Sequence, residues 1–311
     1  MDRNMSRRFI WILTGTVAIA ASPHPMQAAS LLVPNPSFES PATTFVDINI
    51  DSWQKSSKPD WYNEGGGFTW VQLTGVFKNT SPSSPDHIDN CDGNQALWLF
   101  AVPEVGLFQD YDSLDWNDLS PTHDFNATFE AGKSYQLTIG VIGGGGGMLQ
   151  GATLELRLYY RDAASNKVSV AVTSITNTPA VFATTTHLIY FEVRTPVVKP
   201  SDTWAGRHIG MEMLSTVDTN LQGGYWDLDN VRLSSFTELA LLNPARSNGQ
   251  FNFNVRSEPG LKLEILSSTN AALAMSNWIS LGTFTNTAGN LSFADTATNL
   301  TQRFYRARQL P

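Results

Sequence analysis

The feature that most constrains this chain is the alternation of apolar and polar residues along short segments. Tyr135–Val141 and Thr153–Tyr160 show it most clearly, and segments 188–193, 209–213 and 226–233 are similar. A period of two places alternate side chains on opposite faces of a sheet. Clusters of Gly, Pro, Asn, Asp and Ser separate the segments, and no long helical periodicity follows the N-terminal region. The pattern predicts an all-β fold, a jelly-roll β-sandwich followed by a smaller β-sandwich, and it excludes a parallel α/β sheet, which needs crossover helices.

Charge divides the chain into two parts. Residues 30–239 hold 11 basic and 24 acidic side chains, whereas residues 240–311 hold 6 basic and 3 acidic ones. Such a change in charge indicates two domains with different surfaces. We therefore expect a jelly-roll domain over residues 30–236 and a small C-terminal β-sandwich over residues 240–311.

The first 29 residues have the pattern of a Sec-type signal peptide. Arg3, Arg7 and Arg8 precede an apolar run from Phe9 to Ala21, and the segment ends in small residues. The run of about 13 residues is shorter than the roughly 20 that a membrane-spanning helix needs. The mature protein is therefore predicted to be secreted or periplasmic, with no membrane span.

Composition excludes two further classes of protein. The 311 residues include a single cysteine, Cys91, so a disulfide scaffold is excluded. The formal net charge of −8 would repel phosphate, which argues against nucleic acid as a partner.

Five motifs occur in a characteristic order in the first domain. They are Val33–Glu39 (VPNPSFE), Asp92–Leu99 (DGNQALWL), Leu107–Asp110 (LFQD), Phe129–Leu137 (FEAGKSYQL) and Tyr225–Leu233 (YWDLDNVRL). In this order they resemble the galactose-binding-like jelly rolls of secreted carbohydrate-binding modules, over about two-thirds of the chain. The tail, with Gln302–Arg308 (QRFYRAR), resembles small β-sandwiches at the C-termini of exported bacterial proteins. The fold itself hosts many functions.

The resemblance implies a structural calcium site. In the similar modules a carboxylate after the first strand and one in the last strand meet at the ion, and the matching residues here are Glu39 and Asp229, with Asp92 as a third candidate. Calcium takes 6–8 oxygen ligands, some of them backbone carbonyls. The alternative is that these are ordinary surface and turn carboxylates.

Two further sets of residues are candidates for ligand binding. Aromatic rings suit the C–H faces of sugars, and five rings lie in polar stretches: Trp61, Tyr62, Trp70, Trp116 and Trp204. The alternation in Thr153–Tyr160 also directs Glu155, Arg157 and Tyr159 away from the core. That polar face is a ligand groove if the sheet is concave there and a solvated surface if it is convex.

Sequence therefore predicts a non-catalytic protein that binds a polysaccharide or other glycan, with calcium as a structural ion. The first alternative is a structural or adhesive extracellular protein with a cell-surface or larger assembly partner. The second is a calcium-containing jelly-roll enzyme, either glycan-active or similar to the cyclases of alkaloid biosynthesis. Catalysis is the weaker expectation, because the zinc motif His-Glu-x-x-His and the serine motif Gly-x-Ser-x-Gly are missing from the sequence.

Overall fold

A computed structural model describes residues 28–65, 67–115, 119–247, 250–296 and 302–310. The chain divides into two compact units, one over Gln27–Glu238 and one that contains Leu239–Pro311. Residues 1–27 of the predicted signal peptide lie outside the described residues.

The first unit is a sandwich of two antiparallel sheets. The seven-stranded sheet contains β1 (Ala29–Leu31), β2 (Val46–Asp47), β4 (Thr74–Lys78), β5 (Gln95–Phe100), β7 (Lys133–Gly145), β10 (Ile189–Arg194) and β12 (Tyr225–Thr237). Its order is β10-β7-β12-β5-β4-β2, with β1 paired to β12. The five-stranded sheet contains β3 (Gln54–Lys55), β6 (Gly106–Gln109), β8 (Thr153–Arg161), β9 (Lys167–Thr176) and β11 (Gly210–Ser215), in the order β3-β6-β11-β8-β9. The all-β prediction is confirmed, and the helices of the described ranges are short 3-10 turns.

The alternating residues form the core between these two sheets. Leu97 and Leu99 face inward from β5, Leu154 and Leu156 from β8, and all four are fully buried. Trp226 of β12 joins the same cluster. Burying such side chains stabilises the fold by about 1.5–3 kcal/mol each, so the period-two pattern determines which face of each strand packs inward.

The second unit consists of two three-stranded sheets. One contains β13 (Ala240–Ser247), β14 (Gln250–Arg256) and β17 (Asn290–Asp295), and the other contains β15 (Leu261–Ser268), β16 (Ile279–Asn286) and β18 (Phe304–Gln309). Its core contains Phe253, Val255, Leu263 and Ile265. No helix in the described ranges is long and apolar enough to span a membrane.

A loop over residues 79–94, here called the covering loop, lies against the outer face of the seven-stranded sheet. Its Ile88 packs with Ala96 of β5 and Ile142 of β7, whose side chains point away from the main core. Asn79 ties the loop to itself, because its side chain both donates to the Ile88 carbonyl (2.9 Å) and accepts from the Ile88 N–H (3.0 Å). This loop buries outward-facing residues that would otherwise be in water.

The five glycines at 143–147 are part of the packing. The sequence predicts a flexible loop there, but β7 continues to Gly145. A Cβ on Gly143 would lie 2.8 Å from the Phe182 ring, and one on Gly145 would lie 2.5 Å from the Tyr225 ring. Positions 143 and 145 therefore require glycine, because an aromatic ring lies directly on the backbone at each of them.

Adding a methyl group at Gly145 is expected to destabilise the protein. The Gly145→Ala variant should lose about 1–3 kcal/mol of unfolding free energy, because the Tyr225 ring must move away. Gly67→Ala is the matched control, since a Cβ there would meet no atom of the described residues within 4 Å. Urea denaturation of both variants measures the effect, and equal midpoints would contradict the packing described here.

Candidate functional site

One row of side chains crosses the outer face of the five-stranded sheet. Direct pairing aligns Gln54, Phe108, Glu212, Arg157 and Val172 on five successive strands. Each points away from the core because its sequence neighbours point inward. Leu154, Leu156 and Leu158 point into the core, so Glu155 and Arg157 face away from it, as the sequence predicts.

Ion pairs hold the polar part of this row in place. Arg157 contacts Glu155 at 2.6 Å and Glu212 at 3.4 Å, and the Lys167 Nζ lies 2.6 Å from the other oxygen of Glu212. The same Nζ lies 3.2 Å from the centre of the Phe108 ring. Glu212 is only 5% exposed. Burial lowers the pKa of Lys167, and the charge of Glu212 opposes that shift. The result is a fixed set of hydrogen-bonding groups on one face.

A second group of polar residues lies next to this row. The Tyr159 hydroxyl donates to Asp110 Oδ2 at 2.6 Å, and Arg161 contacts the same oxygen at 2.8 Å. Tyr159 is 1% exposed, and a Cβ on Gly210 would lie 2.3 Å from its ring. Burial, together with the nearby charge of Asp110, raises the pKa of Tyr159 well above its usual value. Tyr159 thus lies on the predicted face, but its ring is covered and cannot stack on a ligand.

A cleft of about 370 Å³ opens at the edge of the same sheet, beside β3. It is lined by Trp53, Gln54, Lys55, Ser56, Ser57, Lys58, Glu64, Trp70, Val71, Leu114, Asp115 and Leu119. Gln54 belongs both to the cleft and to the row across the sheet, so the two are continuous. Burial lowers the pKa of Lys55 to about 7, and its Nζ donates to the carbonyls of Val71 and Thr74. Aromatic walls with a few polar groups are typical of small-molecule sites.

Three of the five predicted rings pack together, and one of them, Trp70, lines this cleft. The centre of the Trp70 ring lies 5.0 Å from that of Tyr62 and 6.3 Å from that of Trp61, in edge-on arrangements. Trp70 is buried and Trp61 is 47% exposed. Trp61 and Tyr62 thus lie behind or beside Trp70 and do not line the cleft, and the three rings do not form a flat platform.

The other two predicted rings do not join this group. Trp204 packs edge-on against Phe129 at 4.9 Å and is not among the residues that line the cleft. Trp116 lies outside the described residues.

The three carboxylates predicted to bind calcium lie around one loop. Glu39 Oε1 accepts from the backbone N–H groups of Asn94 and Gln95 at 2.7 and 2.8 Å, and Asp229 Oδ2 accepts from the Asp92 N–H at 2.6 Å. The opening and closing segments also touch directly, because the Val231 N–H donates to the Pro36 carbonyl at 2.8 Å. The segment that carries Glu39, which follows β1, and strand β12, which carries Asp229, are thus neighbours.

Asp229 is the most buried of these three carboxylates. Its carboxylate is fully buried, forms no ion pair with a basic side chain in the described ranges, and burial raises its pKa to about 7. Yet no three His, Cys, Asp or Glu side chains of those ranges are grouped so that they could hold a metal. An ion here would need backbone carbonyls or water as further ligands.

Sequence reasoning missed Asp227. It is 8% exposed, its Oδ1 has no hydrogen-bond partner among the residues that the structure describes, and burial raises its pKa to about 8. Trp98 and Ile142 flank it on the neighbouring strands. A buried carboxylic acid without a partner costs free energy, and such groups are frequent at functional sites. Alternation alone predicts that Asp227 faces solvent, and no pattern in the sequence predicts that the covering loop packs on this face of the sheet.

No protein-family model matches the chain, and no curated protein matches its sequence. Among solved structures, a cyclase from Fischerella sp. TAU is 20% identical, with a TM-score of 0.49, over 69% of this chain and 100% of that one. The CBM22-1 xylan-binding domain of Paenibacillus barcinonensis Xyn10C is 13% identical, with a TM-score of 0.35, over 69% and 97%. The adhesin domain K1 of Lys-gingipain from Porphyromonas gingivalis is 15% identical, with a TM-score of 0.31, over 67% and 97%. At these values the similarity assigns no activity.

Proposed function

We propose that the first unit binds a glycan in the cleft beside β3 and along the row that crosses the five-stranded sheet. The observation that carries this proposal is the continuity of the two features through Gln54. Trp53 and Trp70 supply apolar walls, while Glu64 and Lys58 supply polar groups at the same cleft. A sugar ring presents the matching pattern of C–H faces and hydroxyl groups.

The ion pairs on the sheet favour binding without rearrangement. Arg157 is held by Glu155 and Glu212, so little side-chain entropy is lost when a sugar hydroxyl accepts from its remaining N–H groups. A row across five strands also suits an extended polymer. We therefore expect a polysaccharide to bind better than a single sugar.

Retention of the protein by polysaccharides in native gels tests this proposal. A panel of neutral and acidic polymers should include at least one that retards the wild type. Trp61→Ala removes the exposed ring that packs on Trp70 of the cleft, and Glu155→Gln removes one charge next to the row. Each should weaken binding about tenfold, the usual loss at a contributing contact residue.

Phe45→Ala is the matched control for the ring. Phe45 is 77% exposed and does not line the cleft, so its loss should leave binding unchanged. Equal thermal midpoints would show that the variants fold. If the whole panel fails to retard the wild type, glycan binding is wrong, and a structural or adhesive role takes its place.

We also propose that residues 1–29 direct export, so that the mature protein is either secreted or periplasmic. A calcium ion at Glu39, Asp92 and Asp229 would act as a structural ion. The leader pattern supports the proposal of export. The buried Asp229, with Glu39 and Asp92 around the same loop, supports the proposal of a calcium ion.

A further inference from the structure

Two arginines on the outer face of the seven-stranded sheet rest on aromatic rings. The guanidinium carbon of Arg194 lies 4.0 Å from the centre of the Phe236 ring, and that of Arg232 lies 4.7 Å from the centre of the Tyr190 ring. Neither arginine forms an ion pair in the described part of the chain. In a unit where acidic residues outnumber basic ones by more than two to one, this lack of carboxylate partners is unexpected.

Both arginines cross the same strand, β7, in opposite directions. Arg232 belongs to β12 and reaches a ring on β10, while Arg194 belongs to β10 and reaches a ring on β12. Strand β7 lies between β10 and β12 in the sheet. Two strand spacings and a two-residue offset place the two Cα atoms roughly 12 Å apart. The rings beneath the two charges, Phe236 and Tyr190, pair with Ser134 and Gly140 of β7, so the charges lie at either end of one strip above that strand.

The residues between the two charges are polar. Gln136 of β7 donates to Glu192 of β10 at 2.6 Å, and Thr138 lies next to them in the register. Asn230 donates to the Tyr190 hydroxyl at 3.1 Å, which helps to hold that ring under Arg232. We call this surface the arginine strip, and it comprises Gln136, Thr138, Tyr190, Glu192, Arg194 and Arg232.

Stacking prepares the guanidinium groups for planar anions. A ring beneath a guanidinium restricts its motion but leaves N–H edges free, and these edges match carboxylates in pairs. Ser134 accepts from one edge of Arg194, at 3.0 and 3.2 Å, and fixes its orientation further. The negative charge of Glu192 between them disfavours a ligand with continuous negative charge and suits one whose anionic groups are separated by hydroxyls.

We propose that the arginine strip is a second glycan site, which binds acidic polysaccharides whose carboxylates are spaced along the polymer. It lies on the opposite outer face of the sandwich from the cleft, so it does not depend on the proposed function of that cleft. Sugar hydroxyls would meet Gln136, Thr138 and Glu192, while the two arginines take the carboxylates.

Titration of the full-length mature protein with a polyuronate, monitored by calorimetry, tests this proposal. Binding should be measurable at low salt and weaken as salt rises. Arg194→Gln and Arg232→Gln should each reduce affinity about tenfold, the usual cost of losing a charge-assisted hydrogen bond. Arg207→Gln is the matched control, because Arg207 is exposed, lies outside the strip and makes the same change in charge.

The outcomes separate this site from the cleft. Loss of polyuronate binding in both strip variants but not in Arg207→Gln or Trp61→Ala supports the strip. The proposal is overturned if the wild type does not bind polyuronate, or if the strip variants bind as well as the wild type. Equally tight binding of a sulfated polymer or an acidic protein, lost in the same variants, would show a general anion site and contradict the preference for carboxylates.

Discussion

Asp227→Asn is expected to remove much of the fall in unfolding free energy that the wild type shows as pH rises from about 4 to 8. Burial raises the pKa of Asp227 to about 8 and that of Asp229 to about 7. The folded state therefore holds protons that the unfolded state releases near pH 4. The unfolding free energy should fall as pH rises from about 4 to 8, by up to 1.4 kcal/mol per pH unit for each group.

The variant loses one of these two contributions. The unfolding free energy of the variant minus that of the wild type should therefore increase by about 5 kcal/mol between pH 4 and pH 9. Urea titrations at pH 4, 6, 8 and 9 with EDTA present measure the difference. Asp60→Asn makes the same charge change at an exposed position and should follow the wild type. A constant difference between Asp227→Asn and the wild type would show that Asp227 is not buried as described.

Calcium is expected to raise the thermal midpoint strongly. A ligand that binds only the folded state stabilises it by about 4 kcal/mol at a thousand times its dissociation constant, which corresponds to about 10 °C for a unit of this size. Chelation by EDTA should remove this increment and added calcium should restore it. The increment should be larger at pH 8 than at pH 5, because calcium must displace the proton that burial keeps on Asp229.

Asp229→Asn should abolish the increment, whereas Asp60→Asn should keep it. Differential scanning fluorimetry with EDTA, calcium and magnesium distinguishes the cases. If calcium still raises the thermal midpoint of Asp229→Asn, the ion binds elsewhere. If calcium does not raise the thermal midpoint of the wild type, the proposed calcium site is wrong.

The faces of individual strands can be predicted from sequence. Alternation in β8 correctly separates Leu156 and Leu158, which are buried, from Arg157, which lies on the outer face. The period is local, so neighbouring residues suffice. The partner of Arg157 is a different matter, because Glu212 comes from β11, and the pairing of β8 with β11 depends on packing of the whole sheet.

Burial by loops cannot be read from the same pattern. Alternation places Asp227 on an outer face, which normally means solvent, but it is only 8% exposed, and the neighbouring Ile142 is covered by Ile88 of the covering loop. The glycine run illustrates the same limit. Gly145 is buried because Tyr225, 80 residues away in sequence, lies on it. Both features depend on contacts between distant segments, for which a single sequence gives no local signal.

Hydrogen–deuterium exchange with a retained polysaccharide shows where the glycan binds. If a glycan binds along the cleft and the row, amides of residues 52–58, 106–110 and 155–161 should exchange more slowly in its presence, while those of the C-terminal unit should not change. Protection confined to other segments, with these three unchanged, would contradict the proposed site.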